Sequence, residues 1–378
     1  MIIHKIPFNM NSLHIKNYKN LENLQISKLG RVNLIAGENN VGKSSLLEAI
    51  SIHQSGGSLE WLKRLLEFRG EAADEYVDNH LRKEMDSFLS FLPNYDDEHK
   101  LERPIVLSDM KQNVEIRFVY YTETKVVESG YEGVIRTVIV DYNPKSYYDN
   151  VALGLEIATS FGQKILYTFN GVVPRLQTEL LRKIQYVRMG DLNTINNPSL
   201  FDKLALTPLQ KEVVKALQII ESGIADLNFL KDDRRKSRFV RERNVDADER
   251  VPYVVLEGES KPRRLSSMGD GINRILTIIL AMLNAKDGVL LIDEFENGLH
   301  YSVQQKLWKV IFNLSASLNI QVFVTTHSRD AIRAFAAENT KNDGAFIRLE
   351  RRKDKVVAVT YDNNEDLDLV LEQNIEIR

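Results

Sequence analysis

Two clusters in this chain of 378 residues have the residue types and spacing for phosphate chemistry. The first, Gly37-Glu38-Asn39-Asn40-Val41-Gly42-Lys43-Ser44-Ser45, fits the pattern G-x-x-x-x-G-K-[ST]. Its glycines let successive backbone N–H groups converge on phosphate oxygens, and the helix that follows adds a favourable dipole at its N-terminus. Lys43 is expected to reach the β- and γ-phosphates of a nucleotide, and the Ser44 hydroxyl to ligate Mg2+. The second cluster is KDGVLLIDEFENGLH at 286–300. A buried strand that ends in Asp293 sets a carboxylate at the carboxyl edge of a sheet, where ligands of open α/β folds sit. Asp293 would hold Mg2+ through water. Glu294 would orient or deprotonate an attacking water, a role that contributes roughly 10²–10⁴-fold. Alone, an apolar run before Asp-Glu reads equally as a plain strand end; the phosphate loop in the same chain gives it the catalytic reading.

Two further segments carry less information by themselves. TTHS at 325–328 follows an apolar strand, so His327 could hydrogen-bond a γ-phosphate or serve a structural role. LSSMGDGINRIL at 265–276 is a Ser/Gly-rich turn opening a helix. It suits an anion at a helix N-terminus, or is an ordinary capped helix start. A basic run, RRKSRFVRER at 234–243, could bind phosphates or a partner; the acidic residues flanking it favour a solvated connector.

These residues need elements to hold them. Residues 11–36 read as two strands, the second being Val32–Ala36, and SSLLEAISIH after the loop reads as a helix. Residues 58–92 repeat apolar positions at helical spacing with a break near Gly70. Residues 113–169 are β-type runs between Gly, Asn and Pro, read as an antiparallel sheet. Pro208–Ile224 is helical, and 231–250 is a charge-dense connector. The last third alternates Gly271–Asn284, Val289–Ile292, Ser302–Ser317 and Gln321–Val324 as helix, strand, helix, strand, the signature of a parallel sheet buried on both faces. A short helix (Arg329–Glu338), two strands (Ala345–Arg351 and Lys355–Tyr361) and an acidic tail complete the chain. The expected fold class is α/β, with a mixed sheet, an antiparallel β subdomain and an inserted helical lobe. The expected divisions are 1–55, 56–112, 113–185, 186–260 and 261–378, the first and last forming one nucleotide-binding core.

Bulk composition excludes several classes. Hydrophobic residues at 43% and charged residues at 27% fit a globular chain rather than a disordered one. Fifty basic against 53 acidic residues, a net charge of −3, argue against a protein that simply coats nucleic acid. The absence of cysteine removes disulfides and thiolate metal sites. The longest apolar stretch, Ile275–Leu283, falls far short of the roughly 20 residues that span a bilayer. A cytoplasmic protein with no membrane segment is expected.

The order of these motifs resembles ABC-type P-loop ATPases, and within them the RecF, SMC and OLD branch. HIKNYKNLENL resembles that branch's opening strand, GENNVGKSSLLEAI its P-loop helix, IDEFENGLH its Walker B and D-loop, and TTHS its switch histidine. The resemblance covers roughly residues 11–55 and 262–335. It implies ATP and Mg2+ as cofactors, with Gly37, Asn39, Asn40, Val41, Gly42, Lys43, Ser44 and Ser45 around the phosphates, and Ser44 and Asp293 at the metal. It implies Glu294 and His327 as catalytic residues. It also implies a head-to-tail homodimer or higher homo-oligomer, in which Ser267, Gly269 and Gly271 face ATP bound to the other subunit and Asn297 lies on the seam. The turn departs from the commoner LSGGQ signature, and His300 stands where many D-loops carry Asp. IQYVRMGDLN at 184–193 is the candidate for the γ-phosphate-sensing loop.

The roughly 250 residues between Lys43 and Asp293 contain no SMC-type coiled coil. OLD and Gabija-type proteins continue past the switch histidine into a TOPRIM nuclease, and the roughly fifty residues after His327 are too few for one. The chain is thus similar to stand-alone ATPase subunits of prokaryotic anti-phage defence systems such as PARIS or Septu. That similarity implies a separate effector nuclease of TOPRIM or HNH type. The alternatives are a RecF-like repair ATPase that binds DNA itself, and a regulatory module that binds ATP with little hydrolysis.

Overall fold

The computed structural model describes residues 9–72, 80–93, 101, 103–128, 131–140, 150–160, 162, 164–169, 183–188, 197–231, 250–269, 271–341 and 343–361. The basic run at 234–243, residues 189–193 of the sensing-loop candidate and the acidic tail lie outside them.

The chain opens with β1 (Leu13–Tyr18), β2 (Leu21–Ile26) and β3 (Val32–Gly37), then α1 (Lys43–Gln54), α2 (Leu59–Arg69) and α3 (His80–Leu89). Five strands follow: β4 (Ile105–Ser108), β5 (Asn113–Glu128), β6 (Tyr131–Val138), β7 (Val151–Thr159) and β8 (Lys164–Thr168). Next come β9 (Ile184–Val187), α4 (Asn197–Asp202), α5 (Leu209–Ile220), β10 (Ile224–Lys231), β11 (Arg250–Leu256) and β12 (Arg263–Arg264). The last part is α6 (Gly271–Asn284), β13 (Val289–Ile292), α7 (Tyr301–Ser317), β14 (Gln321–Thr326), α8 (Arg329–Glu338), β15 (Gly344–Arg352) and β16 (Lys355–Tyr361).

A six-stranded sheet in the order β16-β15-β3-β14-β13-β9 forms the centre. β15, β3, β14, β13 and β9 run parallel, and β16 closes the edge antiparallel to β15. β3, β13 and β14 are buried along their whole length, which explains the predominance of apolar residues in them. Alternate residues serve two different cores, as a two-residue period demands. Leu34, Leu290, Ile292, Val322 and Val324 face α5, α6, α7 and α8. Ile35, Val289, Leu291 and Phe323 face α1, α2 and the strands of the second sheet.

That second sheet is antiparallel, in the order β2-β1-β4-β5-β7-β8 with β6 also paired to β5. Helices α2 and α3 pack on it: Lys63 of α2 pairs with Glu84 of α3 at 2.9 Å, and the Tyr167 hydroxyl of β8 donates to Glu84 at 2.6 Å.

The structure departs from the sequence reading in two places. Residues 11–36 form three strands rather than two, because the Lys19–Asn20 turn folds β1 back onto β2, with Asn17 and Lys19 at φ of 56° and 48°. The second departure is β10, β11 and β12, an antiparallel sheet whose first two strands fall in the 186–260 division read as helical lobe and connector. Helix α5 stops at Ile220, and the buried Ile224, Leu227 and Phe229 that prolong its apolar pattern belong to β10. Among the described residues no helix is long and apolar enough to cross a membrane.

Candidate functional site

In the central sheet β3, β14 and β13 are consecutive neighbours, so the phosphate loop, TTHS and Asp293–Glu294 all leave the same carboxyl edge. Registers fix the alignment: Ile292 lies beside Val324, and Thr326 beside Ala36. The loop from β3 to α1 turns on glycine. A Cβ on Gly37, at φ 151°, would stand 2.6 Å from the Leu349 carbonyl oxygen, and Gly42, at φ 114°, would meet the Asn20 side chain at 2.8 Å. The Asn20 amide in turn donates to the Val41 carbonyl at 3.0 Å, bracing the loop from the β1–β2 turn.

Lys43 Nζ donates to the carbonyls of Gly37 and Glu38, each at 2.8 Å. Burial holds its ammonium below the usual lysine range, and the nearby Asp293, Glu296 and Glu294 partly offset that penalty. A phosphate beside it would act in the same direction as those carboxylates.

The opposite wall is one hydrogen-bonded chain. Ser44 Oγ donates to Asp293 Oδ2 at 2.8 Å, and Thr325 Oγ1 donates to Asp293 Oδ1 at 2.5 Å. The Glu294 N–H donates to the same Thr325 hydroxyl at 2.9 Å. Glu294 has φ 51°, a left-handed conformation that costs a non-glycine residue about 1–3 kcal/mol and persists only where its surroundings enforce it. From beneath, the buried Arg274 of α6 donates to the carbonyls of Asp293 and Arg188 at 2.9 and 2.8 Å.

Glu296 completes the wall. Its Oε2 accepts from Thr326 Oγ1 at 2.7 Å, while Oε1 accepts from the His327 N–H at 2.7 Å and lies 2.9 Å from His327 Nδ1. Sequence reasoning missed Glu296, Thr325 and Thr326. A carboxylate two positions past Glu294 and a Thr-Thr pair before His327 were the available signals.

Asn39, Asn40, Gly42, Lys43, Ser44, Ser45, Asp293, Glu294 and His327 line one open cavity of about 1110 Å³. Lys19, Asn20, Glu71, Ser90 and Arg351 extend that lining beyond the phosphate loop. Val41 is buried behind the loop, and Gly37 contributes its carbonyl to Lys43. The signature turn is elsewhere. Ser267 is exposed and bonds the Arg264 carbonyl at 2.7 Å, and Gly269, at φ 115°, has open space where a side chain would project. Gly271 opens α6 against the D-loop, where a Cβ would meet the Gly298 oxygen at 2.7 Å. Half-buried Asn297 donates its N–H to the Glu294 carbonyl at 3.1 Å. These four residues do not join the cavity lining.

The donor set suits a nucleoside triphosphate with Mg2+. The first N–H groups of α1 lack helical partners, an ammonium reaches the loop, and a hydroxyl touches a carboxylate. Among the described residues no group of three or more His, Asp or Glu could cage a metal. Mg2+ needs no such cage, because it is commonly held by one or two protein oxygens, phosphates and water.

Residues 190–333 match the family "AAA domain, putative AbiEii toxin, Type IV TA system", and residues 9–132 match "AAA ATPase domain". The chain is 27% identical to an ATP/GTP phosphatase of Helicobacter pylori over 354 residues, covering 85% of this chain and 86% of that protein. It is 21% identical to the DNA replication and repair protein RecF of Rickettsia rickettsii over 388 aligned positions, covering 90% and 99%. Among solved structures it is similar to an SMC head bound to the C-winged helix domain of ScpA, with TM-score 0.49, 11% identity, and coverage of 95% and 100%. Both halves of the nucleotide motif set stand on one sheet edge, with the phosphate loop inside one AAA domain match and Asp293, Glu294 and His327 inside the other, so the chain is similar to ABC-type ATPases of the RecF/SMC branch.

Proposed function

We propose that the chain binds ATP with Mg2+ and hydrolyses it at a site completed by the signature turn of a second copy. The nucleotide state then controls an assembly. The observation that carries the reading is the Ser44–Asp293–Thr325–Glu294 chain of hydrogen bonds. It brings the Ser44 hydroxyl and an Asp293 oxygen, both of a kind that suits Mg2+, beside Glu294, whose backbone is held in a strained conformation in the cavity lining. When bound, Mg2+ would supply charge neutralisation to the phosphates. Lys43 binds the β- and γ-phosphates, Glu294 orients and deprotonates the attacking water, and His327 contacts the terminal phosphate. Ser267 is exposed and Gly269 has open space beside it, so this turn would face a partner's nucleotide, with Asn297 on the seam. The family resemblance extends the reading to a cytoplasmic subunit of an anti-phage defence system acting through a separate nuclease. The H. pylori relative's description leaves the base open, so ATP and GTP should both be assayed.

Glu294→Gln tests the reading. It should retain nucleotide affinity, lose about 10²-fold or more in turnover, and accumulate a nucleotide-locked dimer or larger assembly. Hydrolysis at the parent rate would remove Glu294 from the role of base. Full-length similarity to RecF supports a second reading, an ATPase that binds DNA directly. ATP-dependent, salt-sensitive DNA binding by the purified chain would favour it, and no binding without a partner would favour the first.

A further inference from the structure

Two residues of the cavity lining, Glu71 and Ser90, follow α2 and α3 directly or within two positions and have no part in the reading above. Gly70 ends α2 in the left-handed conformation, at φ 69°, and the Glu71 N–H returns to the Leu66 carbonyl at 2.9 Å, so the helix end fixes the Glu71 backbone. Ser87 Oγ of α3 donates to the Glu71 carbonyl at 2.5 Å, a second tie. The side chain is held as well. Its Oε2 accepts from Ser90 Oγ at 2.7 Å and pairs with Arg69 Nη2 at 2.8 Å, and that guanidinium lies 4.7 Å from the centre of the Phe91 ring. Among the described residues nothing engages Oε1, and the side chain is 43% exposed. Glu22 and Asp354 line the cavity too, but among the described residues neither has a hydrogen-bond or ion-pair partner to orient it.

A carboxylate offers only acceptors and is repelled by phosphate, so Glu71 suits the O–H or N–H donors of a nucleoside rather than the phosphate chain. Its position decides which donors. Glu48 lies one turn past Ser44 on α1, and Arg69 reaches from Glu48, at 3.5 Å, to Glu71. One guanidinium therefore separates Glu71 from a residue of the helix that follows the phosphate loop. In a nucleotide the ribose is joined directly to the phosphate chain, and the amines of the base lie further out. We infer that Glu71 is the ribose-reading residue of the cavity, accepting on Oε1 from a 2′- or 3′-hydroxyl, with Ser90 and Arg69 as its positioning residues. The inference rests on the ATPase reading and names a specificity determinant within the same site. A carboxylate serves ribose hydroxyls in dinucleotide sites as well. One that is held before the ligand arrives has little freedom left to lose on binding.

The test titrates the full chain with ADP, 2′-deoxy-ADP, 3′-deoxy-ADP and GDP in a calorimeter, using diphosphates so that hydrolysis does not intervene. The parent should bind ADP about 10-fold more tightly than at least one of the deoxy analogues, the scale of one hydrogen bond to a charged group. Glu71→Ala should bring that ratio close to one and leave the ratio of ADP to GDP unchanged. Glu71→Gln keeps the size of the side chain and a neutral acceptor, and should lower the ribose preference partway, because the charge-assisted bond is the stronger. A parent that binds ADP and both deoxy analogues alike would overturn the inference, and so would a ribose preference that survives both substitutions. A changed ratio of ADP to GDP with the ribose preference intact would place Glu71 at the base and equally overturn it. If no nucleotide binds at all, the ATPase reading fails and takes this inference with it, whereas nucleotide binding without ribose preference removes the inference alone.

Discussion

The phosphate cavity and the signature turn are built on opposite plans. In the cavity each chemical group is tied down: Lys43 by two carbonyls, Asp293 by Ser44 and Thr325, and the Glu294 backbone by Thr325. Such a wall needs little rearrangement when charge develops in front of it, which is where electrostatic catalysis gains most. The turn is anchored at its two ends, by buried Leu265 and by Gly271 pressed on Gly298, while between them Ser267 is exposed and Gly269 has open space beside it. One region is organised before any ligand arrives. The other is an exposed turn, and the proposed dimer would give it its role from outside the chain.

The sharpest way to break this contrast is to damage each side separately. Lys43→Ala removes a buried ammonium and should cost roughly 2–5 kcal/mol of nucleotide binding, measured by titration calorimetry. Ser267→Arg, on the exposed turn, should leave nucleotide affinity intact and abolish hydrolysis. Mixing the two inactive proteins should restore turnover, because a heterodimer holds one site with an intact Lys43 and an intact partner turn. No recovery on mixing, with each variant folded, would mean that the turn does not act across a dimer.

The same contrast explains what could be read from the sequence. The cavity was legible because its groups sit at strand ends, at spacings set by the chemistry: Gly37 to Ser44, then Asp293 and Glu294, then His327. The parallel strands were legible too, since burial on both faces leaves runs such as Val289–Ile292 with few alternatives. The contacts of Glu296 were hidden, because they join residues some thirty positions apart through a register that sequence does not disclose. Likewise β10 was hidden behind α5, whose apolar pattern runs into Ile224 and Leu227 after only a short turn.

A moderate effect is expected where the two regions meet. Gly271→Ala would set a methyl group 2.7 Å from the Gly298 carbonyl oxygen, within backbone that cannot easily retreat. Overpacking of this kind costs about 1–3 kcal/mol, read as a lower denaturation midpoint. Because Gly298 belongs to the loop that begins at Glu294, turnover should fall further than stability alone accounts for. An unchanged midpoint would show that the turn and the loop move independently.

The smallest effect should fall on the chain alone and appear only in assembly. Tyr301 opens α7 directly after the D-loop and is 66% exposed, with its ring 4.3 Å from that of His300. Tyr301→Ala should leave the stability of the isolated chain within about 0.5 kcal/mol of the parent. An aromatic side chain at the seam would add about 1 kcal/mol or more to association, so the proposed ATP-dependent dimer should weaken several-fold in sedimentation. Met110, 86% exposed between β4 and β5 of the antiparallel sheet, provides the control. If Met110→Ala weakens the dimer and Tyr301→Ala does not, the copies meet on the antiparallel sheet, and the open turn at 265–271 has some other partner.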